Sequence, residues 1–139
     1  MRLHVFLERV VDADNVGTVF RNAEAFGVDA VLLSPGCCDP FYRKAIRTSS
    51  GAALFVPHAD AVPWPAVLDH MRASGWTTVA LTPDADAVEI GAFVRTPAAL
   101  GRVALLLGTE GDGLSADAIA RAAVRTIGAS MCWTARRNA

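Results

Sequence analysis

Short apolar runs that lack internal polar alternation recur along this chain, most of them followed by a stretch with helical spacing. The runs are Leu3–Leu7, Ala30–Leu33, Ala52–Val56, Thr77–Leu81 and Val103–Leu107, with a weaker sixth at Ala123–Ile127. A strand with one wet face alternates apolar and polar residues; a strand covered on both faces need not. The pattern therefore predicts an α/β fold in which a mainly parallel sheet is flanked by helices.

Between the runs, Val16, Val19, Phe20 and Ala23 follow the i, i+3, i+4, i+7 rule and make one apolar helical stripe. Asp14 or Asn15 can cap its start, and Gly27 can end it in a left-handed conformation. Trp64, Val67, Leu68 and Met71 predict a second helix, with Pro65 in its first turn and Gly75 as its stop. Ser115 caps a third, with Asp117 in the first turn and Ile119 and Ala122 available for packing. The segment Thr82–Pro97, rich in Asp, Ala and Pro, predicts a long loop. Thr82-Pro83-Asp84 and Gly108-Thr109-Glu110 both follow strands, so both can line one crevice at the carboxyl edge of the sheet.

Composition narrows the class. With 53% hydrophobic and 19% charged residues in 139, the chain can bury the core of one domain. No apolar run approaches the roughly 20 residues that span a bilayer. Glu8 and Arg9 interrupt the first run, so no signal-peptide pattern is present and a cytoplasmic location is expected. Cys37, Cys38 and Cys132 form no C-x-x-C pair, and their odd number argues against a disulfide framework. His4, His58 and His70 lack metal-ligand spacing, so no metal is expected. A net charge of −1 does not suggest nucleic acid. RNA binding would need local charge such as Arg43, Lys44 and Arg47, or a second copy of the chain.

Val103–Leu107 runs straight into Gly108-Thr109-Glu110-Gly111-Asp112-Gly113-Leu114. Glycine lets the backbone take positive φ and approach a ligand closely. The string Gly111-Asp112-Gly113-Leu114-Ser115-Ala116 also fits G-x-G-x-x-A, but a dinucleotide site needs an acidic residue roughly 20 positions on. Ser130–Arg137 holds none, which disfavours an oxidoreductase. A tight strand-to-helix turn ending at Ser115 is the plain structural alternative.

Upstream, Asn15, Gly17, Arg21, Ala23 and Gly27 spell N-x-G-x-x-x-R-x-A-x-x-x-G, and Leu107–Leu114 spells L-G-x-E-G-x-G-L. Together these strings resemble the SpoU (TrmH-like) branch of the SPOUT RNA methyltransferases, over most of the chain from Leu7 to Leu114. The resemblance implies an α/β-knot fold, usually dimeric, that moves a methyl group from S-adenosyl-L-methionine to a ribose 2′-hydroxyl of tRNA or rRNA. It implies catalytic roles for Arg21, Asn15 and Glu110, with Glu110 free to accept from Asn15 or Arg21. It places the methyl donor on Leu81, Thr82, Gly108, Thr109, Gly111, Gly113, Leu114 and Ile127. Free arginine stays protonated far above neutral pH, so Arg21 serves more easily as a phosphate grip and alkoxide stabiliser than as a base. Arg43, Lys44, Arg47 and Ser49 precede Gly51-Ala52 and resemble the family's A-S-x-G-A region. They are candidate RNA contacts, with a solvated helix face as the alternative. Beside them, Phe41 and Tyr42 could stack a base or pack in the core.

The family's third signature, I-P-M…S-L-N-V, has no clear counterpart after Val124. The expected organisation is a methyltransferase domain over 1–127 and an atypical tail over 128–139. A tail of this kind implies a truncated or frame-shifted member with an incomplete knot, a weakened dimer and impaired transfer. The alternative function is a non-catalytic RNA-binding or dimerisation module that keeps the SPOUT body.

Overall fold

A computed structural model describes residues 1–127. In chain order the elements are β1 (Arg2–Leu7), α1 (Ala13–Phe26), β2 (Ala30–Leu33), α2 (Arg43–Thr48), β3 (His58–Asp60) and α3 (Val67–Ala73). There follow β4 (Thr77–Leu81), β5 (Val88–Glu89), α4 (Ile90–Phe93), β6 (Arg102–Leu107), α5 (Ala116–Arg121) and β7 (Val124–Ile127). The strands lie in the order β3-β2-β1-β6-β4-β7-β5, and every neighbouring pair is parallel. The expectations about the knot and the tail 128–139 lie outside the described residues.

Side chains alternate across each strand, and both faces are covered. Val5 and Leu7 point with Val31 and Leu33 towards Val16, Phe20 and Ala23 of α1. Phe6 points the other way, with Leu106 and Ala80, towards Leu68 of α3 and Ala118 of α5. A smaller cluster sets Val79 and Val103 against Phe93 and Ala99. Phe6 and Phe20 are fully buried. Each contributes about 1.5–3 kcal/mol of transfer free energy to its face.

Several expectations need correction. Ala52–Val56 is not a strand: Ser50 and Gly51 have positive φ, and Ala52–Leu54 forms one 3-10 turn. Ala52, Ala53 and Val56 then pack against the α1 side of the core, and the strand beside β2 is His58–Asp60. Alanine-rich segments gain little from a pleated sheet, so packing decided the outcome. Trp64 precedes α3, whose first residue is Val67. Thr82–Pro97 carries β5 and α4 and is not one continuous loop. The cap of α1 is Asp12, whose carboxylate accepts from the Asp14 and Asn15 amides at 2.7 and 3.3 Å. Gly27 ends α1 at φ 67°, and the Ser115 hydroxyl accepts from the Ala118 amide at the start of α5.

Helix α1 meets α2 at Gly17. A Cβ there would lie 2.7 Å from Thr48 Cβ and 2.8 Å from the Ala45 carbonyl oxygen. Beside this contact, Asp14 accepts from the Thr48 hydroxyl at 2.7 Å and pairs with Lys44 at 3.3 Å. These partners, Thr48 first, hold the Asp14 carboxyl below the ordinary aspartate range. A depressed folded pKa stabilises above the unfolded value, about pH 4, and is lost as pH falls through the lower folded value. Carbon-detected NMR titration should place the Asp14 midpoint below that of a free aspartate, and Thr48→Ala should move it up. Gly17→Ala would gain about 1 kcal/mol in an open helix. Here it should lose about 1–3 kcal/mol in urea denaturation, because α2 must move away.

Candidate active site

Register sets up the site. Leu7 of β1 pairs with Leu107 of β6, so the segments leaving both strands emerge side by side. Chain order reverses here: β2 and β3 lie on one side of β1, and β6 and β4 on the other. A parallel sheet opens a crevice at such a switch point.

The segment after β6 folds back on itself. Thr109 and Gly113 form an antiparallel bridge, with the Gly113 amide donating to the Thr109 carbonyl at 2.9 Å. Gly111 and Gly113 take φ of 91° and 68°, where a side chain is strained. At Gly108 the demand is for space. A Cβ would fall 2.1 Å from the Gly113 carbonyl carbon and 2.2 Å from the Leu114 nitrogen.

This bend, the start of α1 and the segment after β4 enclose a cleft of 780 Å³. That size suits a nucleoside-sized ligand. Leu7, Val10, Val19, Leu107 and Ile119 give it an apolar floor, and Asn15, Thr18, Thr82 and Asp84 line its walls with the bend. Asn15 Nδ2 donates to Glu110 Oε2 at 3.5 Å, which joins the two sequence motifs across 95 residues. Arg125 of β7 pairs with Asp84 at 3.5 Å and Asp86 at 2.8 Å and pins the wall after β4.

Charge in the cleft has one sign. Asp84, Glu110 and Asp112 line it, and among the described residues no Lys or Arg does, Arg125 meeting Asp84 from outside the lining. Such a cleft complements a cation and repels phosphate. The basic residues lie elsewhere, on α2, where Arg43, Lys44 and Arg47 are exposed. Among the described residues no group of His, Cys, Asp and Glu is arranged to hold a metal ion, and no helix is long and apolar enough to cross a membrane.

Asn15, Glu110, Thr82, Gly108, Thr109, Gly111, Gly113 and Leu114 thus all meet in one cleft. Leu81 and Ile127 do not line it; they sit within β4 and β7, paired with Thr126 and Glu89. Ser49 needs correction as an RNA contact. It is fully buried, its hydroxyl donating to the Ile46 carbonyl and accepting from the Ala53 amide. Phe41 and Tyr42 are exposed, and Phe41 meets the His58 ring edge-on. Arg21 is exposed and lies outside the cleft lining. It follows Gly17 by four positions, so it shares the α2-facing side of α1, about 9 Å along the axis from Asn15. Glu110 therefore takes its hydrogen bond from Asn15, not from Arg21.

Glu8 was missed as a site residue, because in the sequence it reads only as an interruption of an apolar run. Its carboxylate is buried behind the cleft and accepts from Trp64 and Ser115. Its even-numbered parity with Phe6, on a two-face-buried strand, is the signal that would have turned it inward.

Residues 2–130 match the SpoU rRNA Methylase family. The chain belongs to that family. An uncharacterized tRNA/rRNA methyltransferase of Mycobacterium tuberculosis is 44% identical over 119 residues, 86% of this chain and 41% of the relative. The 23S rRNA (guanosine(2553)-2′-O)-methyltransferase of Bacillus subtilis is 30% identical over 112 residues, 81% of this chain and 43% of the relative. The chain thus spans about two-fifths of the length of these curated relatives. Among solved structures, an rRNA methyltransferase from Sinorhizobium meliloti superposes with a TM-score of 0.81 at 27% identity, over 99% of this chain and 56% of that one. The same enzyme solved with AdoMet bound gives 0.79 over the same shares. The parallel seven-stranded sheet is that of the SPOUT methyltransferases.

Of the described glycines in this SpoU domain, Gly108 in the bend has the tightest surroundings. Gly108→Ala should cost about 3 kcal/mol or more, or prevent folding, because backbone atoms must move. Gly91→Ala on α4, whose Cβ would meet nothing within 4 Å, should lose no stability in thermal unfolding.

Proposed function

We propose that this chain is the methyl-transferring domain of an S-adenosylmethionine-dependent methyltransferase that modifies a ribose 2′-hydroxyl of tRNA or rRNA. The observation that carries the reading is the cleft itself: glycine-lined, acidic, without Lys or Arg among its described lining residues, and bridged by the Asn15–Glu110 contact. The named activity of the Bacillus subtilis relative and the AdoMet-bound Sinorhizobium meliloti structure support it.

The residues present fit the donor. The glycine bend offers backbone close to an adenosine, and Glu110 and Asp112 complement a sulfonium and an ammonium group. Bound there, the donor supplies a methyl carbon already activated by a positively charged sulfur leaving group. The 2′-oxygen forms a bond to that carbon as the carbon–sulfur bond breaks, and the hydroxyl proton leaves to solvent. What the chain must supply is alignment and charge stabilisation. The acidic cleft keeps phosphates out, so the RNA backbone rests on the neighbouring basic face formed by Arg21, Arg43, Lys44 and Arg47. Arg21 grips the phosphate beside the target nucleotide and so aligns the 2′-oxygen with the cleft; a guanidinium does this without losing its proton. Asn15 and Glu110 orient the ribose at the rim. Two copies of the chain form the working unit, which light scattering reads directly.

Incubation of the chain with radiolabelled methyl donor and total RNA tests the reading. Labelled RNA should yield 2′-O-methylnucleosides on digestion. Arg21→Ala should lower transfer about 100-fold or more while donor affinity stays within about threefold. Retained RNA binding with no transfer by the wild-type chain would replace this reading with the non-catalytic module.

A further inference from the structure

We propose that Glu8 is a positioning residue: its buried carboxylate latches the far end of the glycine bend to β1 and so holds the methyl-donor cleft in its binding shape. This role rests on the cleft assignment above, but it concerns a residue that does not line the cleft.

Glu8 is only 2% exposed. Its Oε1 accepts from the Ser115 amide at 2.5 Å, and its Oε2 accepts from the Ser115 hydroxyl at 2.7 Å and the Trp64 indole at 2.5 Å. No Lys or Arg pairs with it among the described residues. A buried carboxylate without a cation is costly unless donors converge on it, and here all three come from two residues.

The position of the latch is what links it to the donor. Leu7 and Leu114, which line the cleft, are the immediate chain neighbours of Glu8 and Ser115. The Glu8 amide also donates to the Leu107 carbonyl at 2.9 Å, continuing the β1–β6 ladder by one rung. The bend is therefore held at both ends. At Gly108 it is held by backbone contact with Gly113 and Leu114, and at Ser115 by the Glu8 carboxylate. Ser115 acts twice, since its hydroxyl donates to Glu8 and accepts from the Ala118 amide at 3.2 Å. Trp64 has a separate part: it lies near Phe6 with ring centroids 6.1 Å apart and steadies the carboxylate from the α3 side. Glutamine in place of Glu8 would keep one acceptor and turn an N–H₂ group towards either the Ser115 amide or the Trp64 indole, so the three-donor grip on the bend is broken.

The test uses the full chain and compares wild type, Glu8→Gln and Trp64→Phe by calorimetric titration with S-adenosylmethionine, thermal melting and amide hydrogen exchange. Trp64→Phe removes the indole donor but leaves both Ser115 contacts, so it reports what fold destabilisation alone does. Glu8→Gln should weaken donor binding about tenfold or more, whereas Trp64→Phe stays within about threefold despite a lower melting temperature. Exchange of the amides of residues 113–118 should speed up selectively in Glu8→Gln. Donor binding within threefold of wild type in a folded Glu8→Gln variant would overturn the proposal. So would affinity losses in both variants that simply track their melting temperatures. If the wild-type chain binds no donor, the cleft assignment fails on its own. The latch is then judged by exchange, and unchanged protection of residues 113–118 in Glu8→Gln would reject it.

Discussion

The Leu7–Leu107 rung of the β1–β6 ladder joins chain segments from opposite ends of the domain, and the cleft is built outward from it. Beyond that rung one segment runs to the Asp12 cap and Asn15, the other into the glycine bend and Glu110. A slip of one residue would turn Phe6 and Leu7 to the wrong faces and separate Asn15 from Glu110. The two apolar faces of the sheet thus fix the register, and the register fixes the meeting of two motifs 95 residues apart.

Charge is sorted on a finer scale than the whole molecule reveals. A net charge of −1 conceals a cleft lined by three carboxylates and a neighbouring helix that exposes Arg43, Lys44 and Arg47. Asp14 sits at the border, tied to Lys44 and Thr48 of α2. Local charge thus favours a cation in the cleft and an anion on the exposed face of α2.

Much of the framework was legible in the sequence because buried parallel strands write short apolar runs without polar alternation. Thr77–Leu81 appears as written, and Leu3–Leu7 and Val103–Leu107 each begin one residue earlier. Ala52–Val56 misled because an apolar run suits a helical turn as well as a strand, and the packing of Ala52, Ala53 and Val56 against the α1 side decided between them. At the site, spacing identified the bend and Asn15, since glycine and a short motif leave a mark in sequence. Side-chain direction leaves none. The sequence could not show that Ser49 faces inward, that Arg21 shares the α2 side of its helix, or that Ser115 and Trp64 are the donors that meet Glu8. Those outcomes depend on which elements become neighbours in three dimensions.

Strand order also has a consequence for how the domain is made. The central strand β6 is one of the last elements in the chain, yet it separates β1 from β4. A growing polypeptide therefore carries one half-sheet, β3-β2-β1, with an open edge, and an unpaired β4, until residues 102–107 leave the ribosome and join them. Such late, long-range pairing is slow and leaves apolar surface uncovered. Cells producing this domain would depend on chaperones chiefly in the interval before that strand arrives.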